Sequence, residues 1–221
     1  MPLKRVILIR PGETDWNLQG RMQGWVAAPL NEFGRVQVQR LANFLRHIGV
    51  VALYSSDLRR ARDTAHILAE VLNRKPQFDA RLRERHIGYW QGLNVPEIHG
   101  WYYDEHEQLV KDPENYRVPG GESRAEVRER VRECVSEIIE QGASSEEPVT
   151  VAIVVHTETI RLILENLLPD TDLSEAIFGN SGVTTLAWDV ESEGWQLVMM
   201  DDSTHLEGLE SRHMPRMERK K

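Results

Sequence analysis

Cysteine is almost absent from this chain. Cys134 is the only one in 221 residues, so neither an intrachain disulfide nor a cysteine-based metal site can form. It shares a helical apolar stripe with Val127, Val131, Val135 and Ile138, which assigns it to core packing. Long apolar runs are absent too, since none approaches the roughly 20 residues that span a bilayer. The opening Met1-Pro2-Leu3-Lys4-Arg5 leads into a strand-length run and not into a signal peptide with a small-residue cleavage site. A cytoplasmic protein without membrane attachment is the expectation. Positive charge is in deficit. A formal net charge of -8 argues against nucleic acid as a general partner, because a phosphate backbone demands a basic face. No internal repeat is visible.

What is present suits one large domain. Hydrophobic residues make up 40% of the chain, enough for a real core. Val6-Ile7-Leu8-Ile9 read as a buried strand. A loop containing glycine and proline covers Gly20 to Leu30. Asn31 then caps a helix carrying Phe33, Val36, Leu41, Phe44, Leu45 and Ile48, and Gly49 stops it. Val50 to Tyr54 is a short buried strand. Ser55-Ser56-Asp57 offers the next N-cap, with Ala61, Ala65, Leu68, Ala69 and Leu72 as the apolar face of the helix that follows. Leu82 to Trp90 reads as extended or loop, and Asn94 to Asn115 as a mostly helical insertion rich in Trp101, Tyr102 and Tyr103. Pro119-Gly120-Gly121-Glu122-Ser123 breaks the chain and starts a long amphipathic helix to about Gln141, with a polar loop at 142–148. Val149 to Val155 is the strongest strand, six of its seven residues being apolar, and Thr159 to Leu168 is helical. Val183 to Val190 and Trp195 to Met200 read as a hairpin around Glu193-Gly194.

Alternating strands and helices predict an α/β fold: a three-layer α/β/α sandwich around a mostly parallel sheet. The domain is expected to occupy residues 1–200, with the insertion at about 92–120 and a flexible tail over 201–221. Ligands of such sheets bind beyond the carboxyl ends of the strands, and Arg10-Pro11, Ser55-Ser56 and His156 all fall just after predicted strands. Arginines cluster at Arg59-Arg60-Arg62 and at Arg81-Arg83-Arg85. A locally basic cleft on an acidic protein fits a small anionic ligand better than a polymer. The alternative, solvated arginines on helix faces, is the better reading of Arg59 and Arg62.

Several spaced motifs, covering roughly residues 5 to 190, are similar to those of the histidine phosphatase superfamily, the phosphoglycerate mutase-like proteins. Arg10 and Gly12 match the first motif, and Gly20-Arg21-Met22-Gln23-Gly24 with Pro29-Leu30 the loop after it. Tyr54-Ser55-Ser56-Asp57-Leu58-Arg59-Arg60-Ala61 matches the segment with a second arginine. Leu82-Arg83-Glu84-Arg85 and Gly88 match the one with an acid/base glutamate. Gly120-Gly121-Glu122-Ser123 is a further signature, and Val154-Val155-His156 with Ile160-Arg161 matches the segment of a second histidine. The resemblance implies that Arg10, Gly12, Arg60 and His156 bind a phosphoryl group, His156 when protonated. It implies that Glu84 serves as acid and then base. Asn17, Arg21, Asn180 and Glu158 are candidates for the rest of the substrate pocket, with Trp101, Tyr102 and Tyr103 at its entrance. The implied partner is a small phosphorylated ligand or inorganic phosphate, and the implied activity is hydrolysis of a small phosphomonoester. The mutase branch's full length and pattern are absent. No metal or other cofactor is required, and a homodimer is compatible. The alternative for Arg10 and Glu84 is a buried structural ion pair. His86 resembles a neighbour in the mutase branch, with an exposed histidine as the alternative. His99 and His106 meet no known metal-ligand spacing.

The first motif lacks its centre. Where the family's Arg-His-Gly triplet supplies the nucleophile, this chain has Pro11. Proline has no lone pair to attack phosphorus, so the phosphohistidine route is closed. Other departures are Ala27, Val155, Thr157 and Glu158. A carboxylate at Glu158 pointing inward would oppose a phosphate dianion. Three readings follow: a phospho-ligand-binding pseudoenzyme; an active phosphatase using His156, Glu13 or a water activated by Glu84; and an ordinary phosphatase with an engineered or erroneous residue 11. Pro11 restricts Arg10 to extended geometry, which the end of a strand already has, so a normal fold is expected.

Overall fold

A computed structural model describes residues 3–144 and 148–209. Loop positions 145–147 and the terminal run that ends Glu218-Arg219-Lys220-Lys221 lie outside the described residues. Strands β1 (Leu3–Ile9), β2 (Val50–Ser55), β3 (Pro76–Phe78), β4 (Val149–Val154), β5 (Val183–Asp189) and β6 (Gly194–Asp202) form one sheet. Its order is β3-β2-β4-β1-β5-β6. The pairs β3-β2, β2-β4 and β4-β1 are parallel, while β5 and β6 join antiparallel. This is the expected mostly parallel sheet, closed on one side by the expected hairpin.

The central strand explains the layers. Successive side chains of a strand point to opposite faces, so Val6 and Leu8 enter one core and Ile7 and Ile9 the other. The second core is covered by α2 (Glu32–Leu45) and α3 (Arg59–Leu72) through Val38, Leu41, Ala61 and Leu68. The first is covered by α6 (Arg124–Ala143) and α7 (Thr157–Leu167), with Cys134 on the inner stripe of α6. Burial pushes the Cys134 thiol up to about 12. A third, smaller cluster of Ile87, Trp90, Ile98 and Val118 anchors the insertion, which folds as α4 (Val95–Trp101) and α5 (Tyr103–Lys111). No helix among the described residues is long and apolar enough to cross a membrane.

Caps set several boundaries. The Asn31 side chain accepts from Gly34 N at the start of α2, and Ser123 and Glu126 form a reciprocal capping box on α6. The expected cap of α3 is not formed by Ser55-Ser56-Asp57. Leu58 occupies that position without a side-chain bond, and Ser56 is turned toward His156 instead. The fold also runs past residue 200. Strand β6 continues to Asp202, a tight turn follows at 204–206, and Arg40 Nη1 donates to the Glu207 carbonyl. Residues 201–209 therefore belong to the folded body, although their apolar periodicity has stopped.

Candidate active site

Three parallel strands end at one edge and deliver Arg10-Pro11-Gly12, Ser55-Ser56 and His156 there. A short helix, α1 (Asp15–Leu18), follows the first of these and carries Asn17. A cleft of about 520 Å³ opens at this edge. Arg10, Pro11, Gly12, Asn17, Arg21, Arg60, Glu84, His156, Glu158 and Asn180 all line it. These ten residues singled out from the sequence share one cleft, whereas Glu13, His86, Trp101, Tyr102 and Tyr103 do not line it.

The Arg10-Pro11-Gly12 segment is held from two sides. On one, a Cβ at Gly12 would meet the Gly34 carbonyl oxygen at 2.6 Å, so only glycine lets this segment lie against α2. On the other, the loop 178–182 clasps it. Arg10 N donates to the Gly182 carbonyl, and Ser181 N donates to the carbonyls of Arg10 and Pro11, each at 3.1 Å. The Asn180 side chain adds a bond to the Pro11 carbonyl and another to Asn17. The fold therefore uses the carbonyl of residue 11, which proline retains. Arg10 Nη1 donates to the Phe178 carbonyl of the same loop. Ser181 sits in the left-handed region at φ 59, a local cost that the surrounding bonds hold in place.

Asp201 fixes that loop from behind. Its carboxylate accepts from Gly179 N at 2.8 Å, and a Cβ at Gly182 would lie 1.9 Å from its oxygen. Asp201 itself has φ 48, where the register of β5 against β6 is broken between Val183 and Thr185. Such irregularities re-aim a side chain, and here the carboxylate turns inward, where it attracts Arg10. The sequence gives no sign of this role, since Asp201 falls where apolar periodicity ends.

The charged groups are unusual in their partners. Arg60 is 5% exposed, and its guanidinium donates to the carbonyls of Gly24, at 2.9 Å, and Val26. Among the described residues neither Arg10 nor Arg60 makes a salt bridge. Burial and the neighbouring Arg10 charge lower the Arg60 pKa to about 10, against the pull of Glu84. Burial lowers that of Arg10 too, offset by Glu84 and Asp201. Arg60 thus remains cationic at neutral pH. Glu84 accepts from the backbone N–H groups of Arg85, at 2.8 Å, and Glu158, at 3.2 Å. Its pKa is raised, first by burial and then by the Glu158 carboxylate. Glu158 is itself paired with Arg124.

His156 departs from expectation. Burial, followed by the charges of Arg60, Arg10 and Arg130, holds its pKa well below the usual imidazole value. The ring is therefore neutral in the ligand-free protein and not a third cation. Its Nε2 lies 2.9 Å from Ser56 Oγ, which leaves Nδ1 to meet a ligand. Glu13 is excluded as a substitute nucleophile, because it is buried, accepts from the Asn31 side chain and does not line the cleft. Trp101 and Tyr103 are exposed and, with Tyr102, form no part of the lining. Leu109 and Pro113 of the insertion do so instead. Trp101 and Tyr103 point outward, while Tyr102, at the junction of α4 and α5, packs against Tyr89 and the small apolar cluster. His86 packs edge-on against Trp25 and is not in the lining either.

A buried and a half-buried guanidinium, neither in a salt bridge among the described residues, with a desolvated carboxyl and a neutral imidazole can hold an oxyanion and manage its protons. Comparison with known proteins agrees. Residues 6–203 match the model of the histidine phosphatase superfamily (branch 1). The glucosyl-3-phosphoglycerate phosphatase of Mycobacterium tuberculosis is 35% identical over 182 residues, covering 76% of this chain and 77% of that protein. A structure of the mycobacterial glucosyl-3-phosphoglycerate phosphatase with inorganic phosphate superimposes with a TM-score of 0.76 at 33% identity, covering 91% and 99% of the two chains. A histidine-to-alanine mutant of phosphoserine phosphatase from Entamoeba histolytica, in complex with phosphoserine, gives a TM-score of 0.77 at 25% identity, covering 91% and 98%.

Proposed function

This chain belongs to the histidine phosphatase superfamily, and from that premise we propose that it binds a small phosphomonoester without carrying out the family's phosphohistidine step. The observation that carries the reading is the pair Arg10 and Arg60, a half-buried and a buried guanidinium lining one cleft, each donating to backbone carbonyls and neither in a salt bridge among the described residues. Each buried charge costs stability unless a counter-charge arrives, and a phosphoryl dianion is such a counter-charge. Arg10 and Arg60 take its nonbridging oxygens in planar forks. His156 Nδ1 faces the same group, and the dianion pulls the imidazole pKa upward, so binding takes up a proton. Glu84 stands at the leaving oxygen with a raised pKa, ready to donate a proton. At Pro11 no atom can attack phosphorus, so no covalent intermediate forms. The histidine-to-alanine phosphatase in complex with phosphoserine supports binding without a histidine at one position in a relative.

A second reading keeps turnover: water attacks directly, with Glu84 as its base. The raised pKa of Glu84 favours it, because a carboxylate of higher pKa is a stronger base toward water. One experiment separates the two. Thermal unfolding with inorganic phosphate and with vanadate, beside aryl phosphate turnover, is expected to give stabilisation by both anions and turnover near background. Ordinary turnover that Glu84→Gln abolishes would establish the second reading. Absence of any shift with either anion would remove the first.

A further inference from the structure

We propose that Trp25 is a positioning residue, whose indole N–H holds the Glu84 carbonyl, keeps the Glu84 carboxyl from collapsing onto Arg60 and so leaves the cleft free for an anion; this rests on the reading of Arg10 and Arg60 as the phosphoryl site. Arg60 and Glu84 line one cleft with opposite charges. Each attracts the other, since Glu84 draws the Arg60 pKa up and Arg60 draws that of Glu84 down. Opposite charges in contact away from water are held strongly, and a guanidinium so paired has no fork to offer a ligand. Instead, each is engaged by backbone. Arg60 donates to the carbonyls of Gly24 and Val26, and the Glu84 carboxylate accepts from the N–H groups of Arg85 and Glu158.

One three-residue segment touches both groups. The Gly24 and Val26 carbonyls take the Arg60 guanidinium at 2.9 and 3.4 Å, and between them Trp25 Nε1 donates to the Glu84 carbonyl at 2.7 Å. Gly24-Trp25-Val26 therefore sets the spacing of cation and carboxyl, although Trp25 itself is not in the lining. The segment is laced to the chain beyond Glu84. Trp25 N donates to Gln91 Oε1 at 2.7 Å, Met22 N to the Leu93 carbonyl and Gly92 N to the Met22 carbonyl. Gly24 has φ 49, and a Cβ there would lie 2.6 Å from Gln91 Oε1, so only glycine allows this approach. The indole ring is clamped as well. The Arg83 guanidinium lies over it at 4.5 Å, anchored by two bonds of 2.6 Å to Asp57, and His86 packs against it at 4.9 Å. A ring fixed in this way aims its N–H in one direction. Arg130 Nη2 also donates to the Glu84 carbonyl, at 3.0 Å. That guanidinium holds the carbonyls of Arg81 and Arg83 and the Glu122 carboxylate too, so it braces the whole segment 81–84 and its removal would not isolate Glu84.

Trp25→Phe removes the N–H and keeps a ring against Arg83 and His86. The test is calorimetric titration with inorganic phosphate of the whole protein, Trp25→Phe, Glu84→Gln and the double variant, at a pH where Glu84 is ionised. The Glu84 carboxyl is followed by NMR titration in the parent and in Trp25→Phe. Trp25→Phe is expected to weaken phosphate binding about fivefold, because the freed carboxylate then competes for Arg60. In the Glu84→Gln background, with no carboxylate to compete, the same substitution is expected to change affinity by less than about twofold. The Glu84 titration is expected to move down in Trp25→Phe, since the Arg60 charge then lies closer. An equal loss in both backgrounds, no loss in either, or a Glu84 titration that stays in place overturns the inference while leaving the phosphoryl site standing. Failure of phosphate to bind the parent overturns the phosphoryl site, and the inference with it.

Discussion

Replacing Arg60 by methionine should barely change the stability of the free protein while removing most of its phosphate affinity. Burial and the Arg10 charge lower the guanidinium pKa to about 10. That descent corresponds to a penalty of about 3 kcal/mol on the charged form. The penalty is fully present at neutral pH, where the group is charged both folded and unfolded. Arg60→Met relieves it and retains an apolar stem among Gly24, Val26 and α3. Against this, the carbonyls of Gly24 and Val26 lose their donor, at about 1–3 kcal/mol each when they stay buried. The two contributions nearly cancel. With about 2–4 °C per kcal/mol for a chain of this size, the melting temperature should stay within roughly 5 °C of the parent. Binding has no such offset. One lost charge-assisted fork is worth about 1.5–3 kcal/mol, or roughly 10- to 150-fold in affinity. Thermal unfolding with and without phosphate, together with calorimetric titration, reads both quantities. A variant that melts more than about 10 °C lower, yet keeps the full phosphate-induced shift, would make Arg60 a structural residue and not an anion ligand.

Three further outcomes follow from the same site. His156 is held neutral, so below about pH 6.5 the unfolded chain binds a proton that the folded one does not. Stability should fall there by up to about 1.4 kcal/mol per pH unit, and His156→Gln should flatten that slope in melting curves from pH 7 to 5; an unchanged slope contradicts the assignment. Glu84 has a raised pKa, so phosphate affinity should strengthen as pH falls through that raised value and the carboxylate loses its charge. Glu84→Gln should bind phosphate about five- to tenfold tighter at pH 8 and lose the trend, whereas weaker binding would speak against a carboxylate facing the anion. Asp201→Ala leaves Gly179 N without its acceptor, which should cost about 1–3 kcal/mol and weaken phosphate binding through Arg10; unchanged affinity would dismiss Asp201 as a positioning residue.

Much of this arrangement was legible from the chain because it is set by local pattern. Four apolar residues before Arg10, and six of seven in the Val149–Val155 run, leave little choice but buried parallel strands. Residues after such strands must meet at one edge. Strand β3 was not legible, since it has three residues, begins with Pro76 and pairs along one side only. Nor was α1, whose four residues depend on a capping box between Thr14 and Asn17 inside a motif that reads as loop. The aromatic run Trp101-Tyr102-Tyr103 misled, because composition cannot tell which face of a short helix a ligand meets. The charge state of His156 depends on burial among Arg10, Arg60 and Arg130, which are distant in sequence. Asp201 acts through a break in strand register, and no spacing rule marks such a break.

If the phosphoryl site lacks only its attacking atom, Pro11→His should restore turnover. The carbonyl of residue 11 is already engaged by Ser181 N and the Asn180 side chain, so the variant needs no rearrangement there. Removal of a nucleophile from a coupled site costs up to about a millionfold in turnover. Restoration by one residue should therefore raise aryl phosphate hydrolysis by at least about a thousandfold over the parent. A folded Pro11→His protein as inactive as the parent, or a parent as active as its variant, would contradict the account.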